Sequence, residues 1–503
     1  MSTRYDVAIV GYGPVGQALA TLLGRRGRSV VVFDKQPGLY PLPRACHIDH
    51  EGMRILQAMG IADEVAAAIV PAREYLMLRS DLSVISDLPR VWETPSGWEP
   101  SYHFYQPDVE GLFDAAAKAT PGVAVRQATA VHTVREESDG VVLTVGDDGE
   151  EVRARYVIGA DGANSLVRTQ AGIGREDLGF EATWVVVDVE IAEGAPALNV
   201  PDTGQVLDPA QPRHMAWLGG RHYRWEFMIV DGADPAEASL PENVWPKLSQ
   251  WVDPATSTLL RSTAYTFGSL VAETFRAGRV LLAGDAAHLM PPFMGQGMVS
   301  GLRDAASLAW ILDLVLTGRA DEGFLDAYTE TRRPHVLAYI AESVRVGQMV
   351  CETDPERARV RDAELEAQTQ SPPPFQPLAG SLYLRGPLAG TIAVQPRVGG
   401  RLLDDVLGPA FTVLTVDGAD LAGLDAAGQG AIDALGLVTA VLAEGEGAGI
   451  LTPDDDRFAS WLSAADATWA LVRPDGYVYA AGRGADALGE ALAALRRTVA
   501  VAA

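Results

Sequence analysis

Three stretches of the chain carry residues whose types and spacing could hold a phosphate-bearing cofactor. The first is GYGPVG, Gly11 to Gly16. Gly11, Gly13 and Gly16 permit a tight turn and let backbone N–H groups approach a pyrophosphate at a helix N-terminus, where the helix dipole favours negative charge; Pro14 and Val15 would open that helix. Asp34 and Lys35 follow at the end of the next strand-like run, where an acidic residue would accept from a ribose hydroxyl. The alternative for Asp34 is a plain strand-end acid. This pattern predicts dinucleotide binding and leaves NAD and FAD undecided.

The second stretch is ARYVIGADGANSLVR, Ala154 to Arg168, in which a strand-like run ends at Asp161-Gly162 and Arg168 follows at helical distance. The third is GRVLLAGDAAHLMPPFMGQGMVSGLRDAASLAW, Gly278 to Trp310. There a strand ends at Gly284-Asp285, Pro291-Pro292 fixes the chain, and Gly295-Gln296-Gly297-Met298 opens an apolar helix. Asp161 and Asp285 could cap helices, the usual role of Asp before an alanine-rich run. The glycine beside each favours a cofactor role.

Periodicity supplies the elements that must position these residues. Tyr5 to Val10, Val15 to Arg26 and Ser29 to Asp34 read as strand, helix and strand, a βαβ unit. Asp108 to Lys118 reads as helix, and Val123 to Val134, Val141 to Val145 and Glu151 to Ile158 as strands. Between about 175 and 275 the runs turn alternating and aromatic, predicting a mostly antiparallel sheet. A strand returns at Arg279 to Ala283, before a helix over Gln296 to Leu316 that is apolar nearly all round and must be buried. QSPPPFQPLAGS, Gln370 to Ser381, reads as a linker or crossing segment. The predicted fold is α/β. A Rossmann-like cofactor domain spans 1–175 and 276–390, with an inserted sheet domain at 176–275 that part of 70–105 could join. A separate C-terminal α/β domain spans 395–503.

Composition narrows the function. The chain has 503 residues, 48% hydrophobic and 21% charged, enough for several domains. Acidic residues outnumber basic ones, 66 against 40, giving a net charge of −26 that would repel nucleic acid. Cys46 and Cys351 are far apart and form no CxxC or Cys/His ligand pattern, so neither a disulfide framework nor a metal site is expected. No apolar tract is long enough to span a bilayer, and Asp6 and the glycine turn interrupt any signal-like start, which predicts a cytoplasmic protein with no membrane partner.

Taken together with PRACHID, FYQPDVE and RWEFM, the three stretches resemble the single-component flavoprotein aromatic hydroxylases, of which p-hydroxybenzoate hydroxylase is a familiar member. The look is nearest to the 3-(3-hydroxyphenyl)propionate, phenol and polyketide hydroxylases. The resemblance covers roughly residues 5 to 350. It implies FAD as cofactor, NADH or NADPH as electron donor, dioxygen as cosubstrate, and oxygen delivery to an electron-rich aromatic ring through a flavin C4a-hydroperoxide.

The resemblance also assigns Arg44, Gln106, Asp161, Gly162, Gly284, Asp285, Pro292, Gly295, Gly297 and Met298 to the cofactor, with Asp285 accepting from ribityl hydroxyls. Val299 stands where family members often carry Asn. Candidates for the substrate side are Tyr265, His103 and the carbonyl of Pro292, with Tyr105, His222, Arg224 and Phe267 in segments expected to line the pocket. Trp217 and Trp225 read as sheet packing, and His288 as a structural histidine bonding backbone. The C-terminal region, through RPDGYVYAAG, resembles a thioredoxin-like domain without its dithiol. A small aromatic substrate and a homodimer are implied. The alternatives are Baeyer–Villiger or epoxidising chemistry on a natural product, and a non-catalytic flavin-binding module.

Overall fold

The computed structural model describes residues 4–230, 232–367, 377–378, 380, 382–384, 386–445 and 447–499. The expected linker at Gln370 to Ser381 lies largely outside them.

The first sheet grows from short runs of Val, Ile and Leu that are buried on both faces, as parallel strands under helices must be. Its order is Arg276–Ala277, Val280–Leu282, Glu150–Gly159, Arg4–Val10, Val30–Phe33, Val123–Arg126. The last five of these run parallel. An antiparallel ribbon, Val131–Glu137 with Gly140–Val145, leans on the long strand Glu150–Gly159. Helix Pro14–Arg25 starts directly after the first strand. It crosses helix Gly297–Leu316 closely, since a Cβ on Gly301 would lie 2.5 Å from Val15 Cγ2. That second helix is buried along nearly its whole length, as its all-round apolar sequence requires.

The second sheet is mostly antiparallel, with Ser257–Ala272, Arg175–Ile191, His222–Met228, Arg213–Trp217 and Thr203–Val206 side by side. Two short strands from earlier in the chain, Leu76–Leu78 and Val84–Asp87, extend it at one edge. Its two faces differ in chemistry because side chains alternate along each strand. One face presents Val185, Val187, Tyr223, Trp225, Phe227, Met215 and Val206 to a core shared with helix Pro241–Leu248. The other presents Trp184, Asp188, Arg224, Glu226, His214, Gln205, Arg261 and Tyr265, in register across the strands. Sequence alternation therefore builds one packing face and one polar working face.

The C-terminal domain orders its strands as Ile450–Leu451, Val438–Leu442, Thr412–Thr415, Trp469–Val472, Val478–Gly482. The pair at Thr412 and Val438 is parallel and the two that follow are antiparallel. With helices Ala426–Leu435, Arg457–Ala464 and Ala485–Thr498 this is the thioredoxin-like arrangement. Among the described residues no helix is long and apolar enough to cross a membrane.

Candidate active site

Each glycine of the first turn has its own steric reason. Gly11 adopts φ +103°, and a Cβ there would lie 2.2 Å from the Ala160 carbonyl oxygen. Gly16 lets the helix press onto the turn, its would-be Cβ lying 2.1 Å from Gly11 O. Gly13 is different, for a Cβ placed on it meets nothing within 4 Å, so its backbone faces open space. Gly13 caps helix Pro14–Arg25 without any side-chain hydrogen bond, leaving first-turn N–H groups directed outward. Val15 packs under Gly284, and Pro14 stands in the first turn of the helix, where a missing N–H costs nothing. Asp34 closes this loop by accepting from Tyr12 N at 2.7 Å and Gln36 N at 2.7 Å, while Lys35 beside it is exposed. Two lone pairs of Asp34 remain for a ribose hydroxyl.

The two aspartates of the later motifs part company. Asp161 is a local cap, accepting from Ser165 Oγ at 2.5 Å and Val167 N at 3.1 Å. Its neighbour Gly162, at φ +80° and with nothing within 4 Å of a Cβ, is the open position. Asp285 is exposed to the cleft and receives no hydrogen bond among the described residues, yet burial among surrounding protein atoms raises its carboxyl. Such a carboxylate, open to solvent yet crowded by protein atoms, fits the polyol of FAD. Arg168 donates to Ala163 O at 3.3 Å and so braces the Asp161 turn.

Gln106 and Arg44 act as bracket and loop. The Gln106 Oε1 accepts from the backbone N–H of Arg44 and of Ala45, both at 2.7 Å, and its Nε2 donates to Glu110 at 2.8 Å. The Arg44 guanidinium is thereby carried into solvent over the Tyr40 ring at 4.2 Å. From the opposite side Arg224 donates to Arg44 O at 2.9 Å and Pro43 O at 3.2 Å, while Asp188 accepts from its Nε at 2.8 Å.

The turn Gly295-Gln296-Gly297 is held by charge. Gln296 caps helix Gly297–Leu316 without a side-chain bond to it, so the N–H groups of Gly297, Met298 and Val299 have no side-chain cap. The Gln296 side chain points back instead, donating to Asp49 at 3.1 Å and accepting from Arg303 at 2.7 Å. Arg303 in turn pairs with Asp49 at 2.7 Å and Glu51 at 2.5 Å. Burial alone would raise the Asp49 carboxyl, but Arg303 beside it holds it well below the usual range. Glu51 also accepts from the hydroxyl of Tyr477, a residue of the C-terminal domain. Val299 is fully buried in the core.

A second node is centred on the next residue of the helix. Asp304, fully buried, accepts from Gly284 N at 3.0 Å, His288 Nε2 at 2.7 Å and Arg332 Nε at 2.8 Å. His288 is thus structural, as the sequence implied, but its partner is this carboxylate and not backbone.

The polar face of the second sheet looks toward that turn. Phe293, beside Pro292, packs edge-on against Trp184 at 5.8 Å, and Trp184 is the register partner of Tyr265. Tyr265 is half-buried, with Arg261 5.5 Å from its ring and no hydrogen bond to its hydroxyl among the described residues. His103 is a correction. Its Nδ1 donates to Trp217 O at 3.0 Å, its Nε2 is held by Thr203 at 3.2 Å, and burial lowers its pKa far below the ordinary value, so no nitrogen is free to take a proton. His222 stacks flat on Tyr105 at 3.8 Å.

Three neighbours in one row, Gln205, His214 and Glu226, were not singled out from the sequence. Gln205 Oε1 is a buried acceptor without a partner among the described residues, and the His214 ring beside it faces the Gly204 backbone. Burial lowers His214 to about 3 and raises the Glu226 carboxyl. Strict alternation in QPRHMAW and RHYRWEFM could have put His214 and Glu226 on the face opposite Met215 and Trp225, but only the register aligns them. The network residues Asp49, Glu51, Arg303 and Asp304 gave no sequence signal, since their partners lie far along the chain. A cavity of about 640 Å³ between the cofactor-side helices and the C-terminal domain, lined by Arg54, Asp404 and Pro474 among others, contains none of the expected site residues.

An unpartnered carboxylate, uncapped helix starts and glycines open to solvent around one cleft fit FAD, and comparison with known proteins agrees. The FAD binding domain family matches residues 4–343, and the HcaD C-terminal domain family matches 390–498. The chain is 36% identical to a probable NADH-specific resorcinol 4-hydroxylase of Rhodococcus jostii (strain RHA1), over 95% of this chain and 92% of that one. It is 34% identical to a 3-(3-hydroxy-phenyl)propionate/3-hydroxycinnamic acid hydroxylase of Mycobacterium sp. (strain JLS), over 82% and 76%. Among solved structures it is similar to aklavinone-11 hydroxylase in complex with FAD and aklavinone, with TM-score 0.79, 26% identity, and 99% and 100% of the two chains covered. A cleft built to hold FAD beneath a polar sheet face, on a chain related to these enzymes along nearly its full length, belongs to the FAD-dependent aromatic hydroxylases.

Proposed function

We propose that the chain hydroxylates a small phenol, drawing electrons from NADH, with the ring held between the Pro292-Phe293 loop and the polar face of the second sheet. The observation that carries this reading is the row Gln205, His214, Glu226. It sets the unpartnered Gln205 Oε1 and the His214 ring beside a carboxylate whose proton affinity is raised by burial. A phenol O–H supplies a donor to the Glu226 carboxylate of this row. Glu226 would accept the phenol proton while the Gln205 amide N–H and the ring N–H of neutral His214 donate to the phenol oxygen, enriching the ring in electrons where oxygen is added.

The residues that would hold FAD are Gly11, Gly13, Gly16 and Asp34 on the adenylate side, Arg44, Gln106, Gly162, Gly284 and Asp285 along its middle, and Gly295, Gly297 and Met298 at the ring. When bound, FAD supplies hydride acceptance from the nicotinamide and activation of dioxygen. The chain contributes a dry apolar wall from Phe293, Trp184, Met77 and Phe180, and first-turn N–H groups that favour negative charge. The NADH specificity of the related resorcinol 4-hydroxylase supports NADH as donor, and a cytoplasmic setting is consistent with two free cysteines.

Anaerobic stopped-flow reduction of the flavin-loaded protein by NADH and by NADPH, with and without a panel of phenols, tests this. A phenol that accelerates flavin bleaching and yields a hydroxylated product on oxygen addition is expected. Failure of every phenol to accelerate reduction or to be oxygenated would overturn the reading.

A further inference from the structure

The cavity of about 640 Å³ lies between the C-terminal domain and the helices Pro14–Arg25 and His50–Met59. It sits at the C-terminal end of Pro14–Arg25, whose N-terminal end carries the glycine turn, so roughly 18 Å of helix separates it from that turn. Its volume suits a small metabolite. Leu22 and Ile55 on the cofactor side and Leu403 and Val472 on the C-terminal side make part of the lining apolar.

Charge is unevenly matched inside it. Arg25 and Arg26 end the first helix and line the cavity. Arg25 is exposed, and Gly60 gives its guanidinium room, since a Cβ there would lie 2.7 Å from Nη1. Arg26 is half-buried, and its guanidinium makes a single long hydrogen bond among the described residues, to Pro409 O at 3.5 Å. Neither has a carboxylate within 4.0 Å among the described residues. The carboxylates whose charge reaches Arg26 are Asp313 and Asp475, and both are committed. Asp313 pairs with Arg28 and Arg319, each at 3.1 Å, and Asp475 with Arg473 at 2.5 Å. Five guanidiniums thus share two carboxylates, in a chain whose net charge is −26. The lining acids without a cation, Asp63, Glu64 and Asp405, are all exposed, whereas Glu51 and Asp404 are matched by Arg303 and Arg54. Burial lowers the Arg26 pKa, so its charge is held there at a cost that an anion would offset. A cation at a helix C-terminus complements the dipole, which accounts for Arg25 at the surface. It does not require Arg26 to be enclosed beside the like charges of Arg25 and Arg319.

We propose that this cavity is an accessory binding site for a small aliphatic metabolite bearing a phosphate or carboxylate, the anionic group resting on Arg25 and Arg26 and the aliphatic body on Leu22, Ile55, Leu403 and Val472. Two guanidiniums supply planar forks of N–H donors, the geometry that phosphate and carboxylate oxygens accept best. Because the site lies at the far end of the helix from the glycine turn, it stands independently of the phenol-hydroxylase reading and of the ring pocket.

Three probes test it by isothermal titration calorimetry on the flavin-loaded full chain at constant ionic strength: n-butyl phosphate, pentanoate and the neutral n-pentanol. At least one anion should bind about 10-fold or more tightly than the alcohol, and the tighter of the two identifies the head group. Arg26→Met should weaken that anion by about 10-fold or more and leave n-pentanol unchanged, with Arg26→Lys between. The same Arg26→Met change should raise the thermal midpoint of the ligand-free holoenzyme, because it removes an enclosed charge. Arg25→Gln, at an exposed position that folding tolerates, should weaken the anion alone. Anions that bind no better than n-pentanol to the unaltered enzyme overturn the proposal without any variant. So does anion binding that both Arg26→Met and Arg25→Gln leave intact, or a lowered thermal midpoint in Arg26→Met with equal loss of all three probes, which would make Arg26 a structural cation.

Discussion

The cofactor turn and the ring pocket are built by opposite means. Gly11, Gly13 and Gly16 work through the absence of side chains, so backbone alone shapes the turn. The pocket is made of side chains drawn from distant segments, with Gln205, His214 and Glu226 forming one row only after the second sheet is in register. At Gly11 and Gly16 the turn therefore tolerates no added atom, and the pocket tolerates change of identity provided shape is kept. One half of the site is specified locally and the other by topology.

Gly11→Ala should give the largest effect. Its Cβ would collide with the Ala160 carbonyl at a backbone conformation that suits glycine, and the parallel strands fix both partners. The expected outcome is loss of FAD retention by more than about 100-fold, read from the flavin-to-protein absorbance ratio after desalting, with NADH oxidation lost in parallel. A variant that retained stoichiometric flavin would break the comparison.

Glu226→Gln should act on the other half alone. FAD content should stay unchanged while kcat falls about 10²- to 10⁴-fold, the range for removal of a general base. Because burial raises the Glu226 carboxyl, the acid limb of kcat in the unaltered enzyme should lie above the ordinary carboxylate range. The direction follows from the base being active only when ionised, so activity is present above the raised pKa and lost as pH falls through it. The variant should lose that limb and recover rate at a pH where the phenol ionises unaided.

Tyr477→Phe should be the mildest. Losing one hydroxyl donor to Glu51 costs on the order of 1 kcal/mol in stability, measurable by thermal unfolding. It should also shift the flavin midpoint potential by a small amount, because Glu51 and Arg303 hold the Gln296 turn. No shift in either quantity would confine the C-terminal domain to packing.

The same contrast explains what could be read from the chain. GYGPVG, Asp161-Gly162 and Gly284-Asp285 each encode strand, turn and helix within a few residues, so the first sheet and its cofactor ends were legible. The alternating aromatic runs announced the second sheet but not which residues of separate strands become neighbours, and so Tyr265 and His103 drew attention while Gln205, His214 and Glu226 did not. His103 misled because a histidine in an aromatic segment looks reactive, whereas its two nitrogens are consumed by Trp217 and Thr203. Asp161 likewise turned out to cap its own helix, leaving Gly162 as the open position.

Tyr477 belongs to a domain that has lost any dithiol chemistry, and it nevertheless touches the carboxylate that clamps the flavin turn. Beside it Asp475 accepts from the Trp310 indole at 3.0 Å, on the same helix as that turn. Exchange of C-terminal domains among relatives is therefore not a free modular swap. Glu51 and Trp310 would have to travel with Tyr477 and Asp475, so these four positions should be inherited as a set although three separate segments encode them.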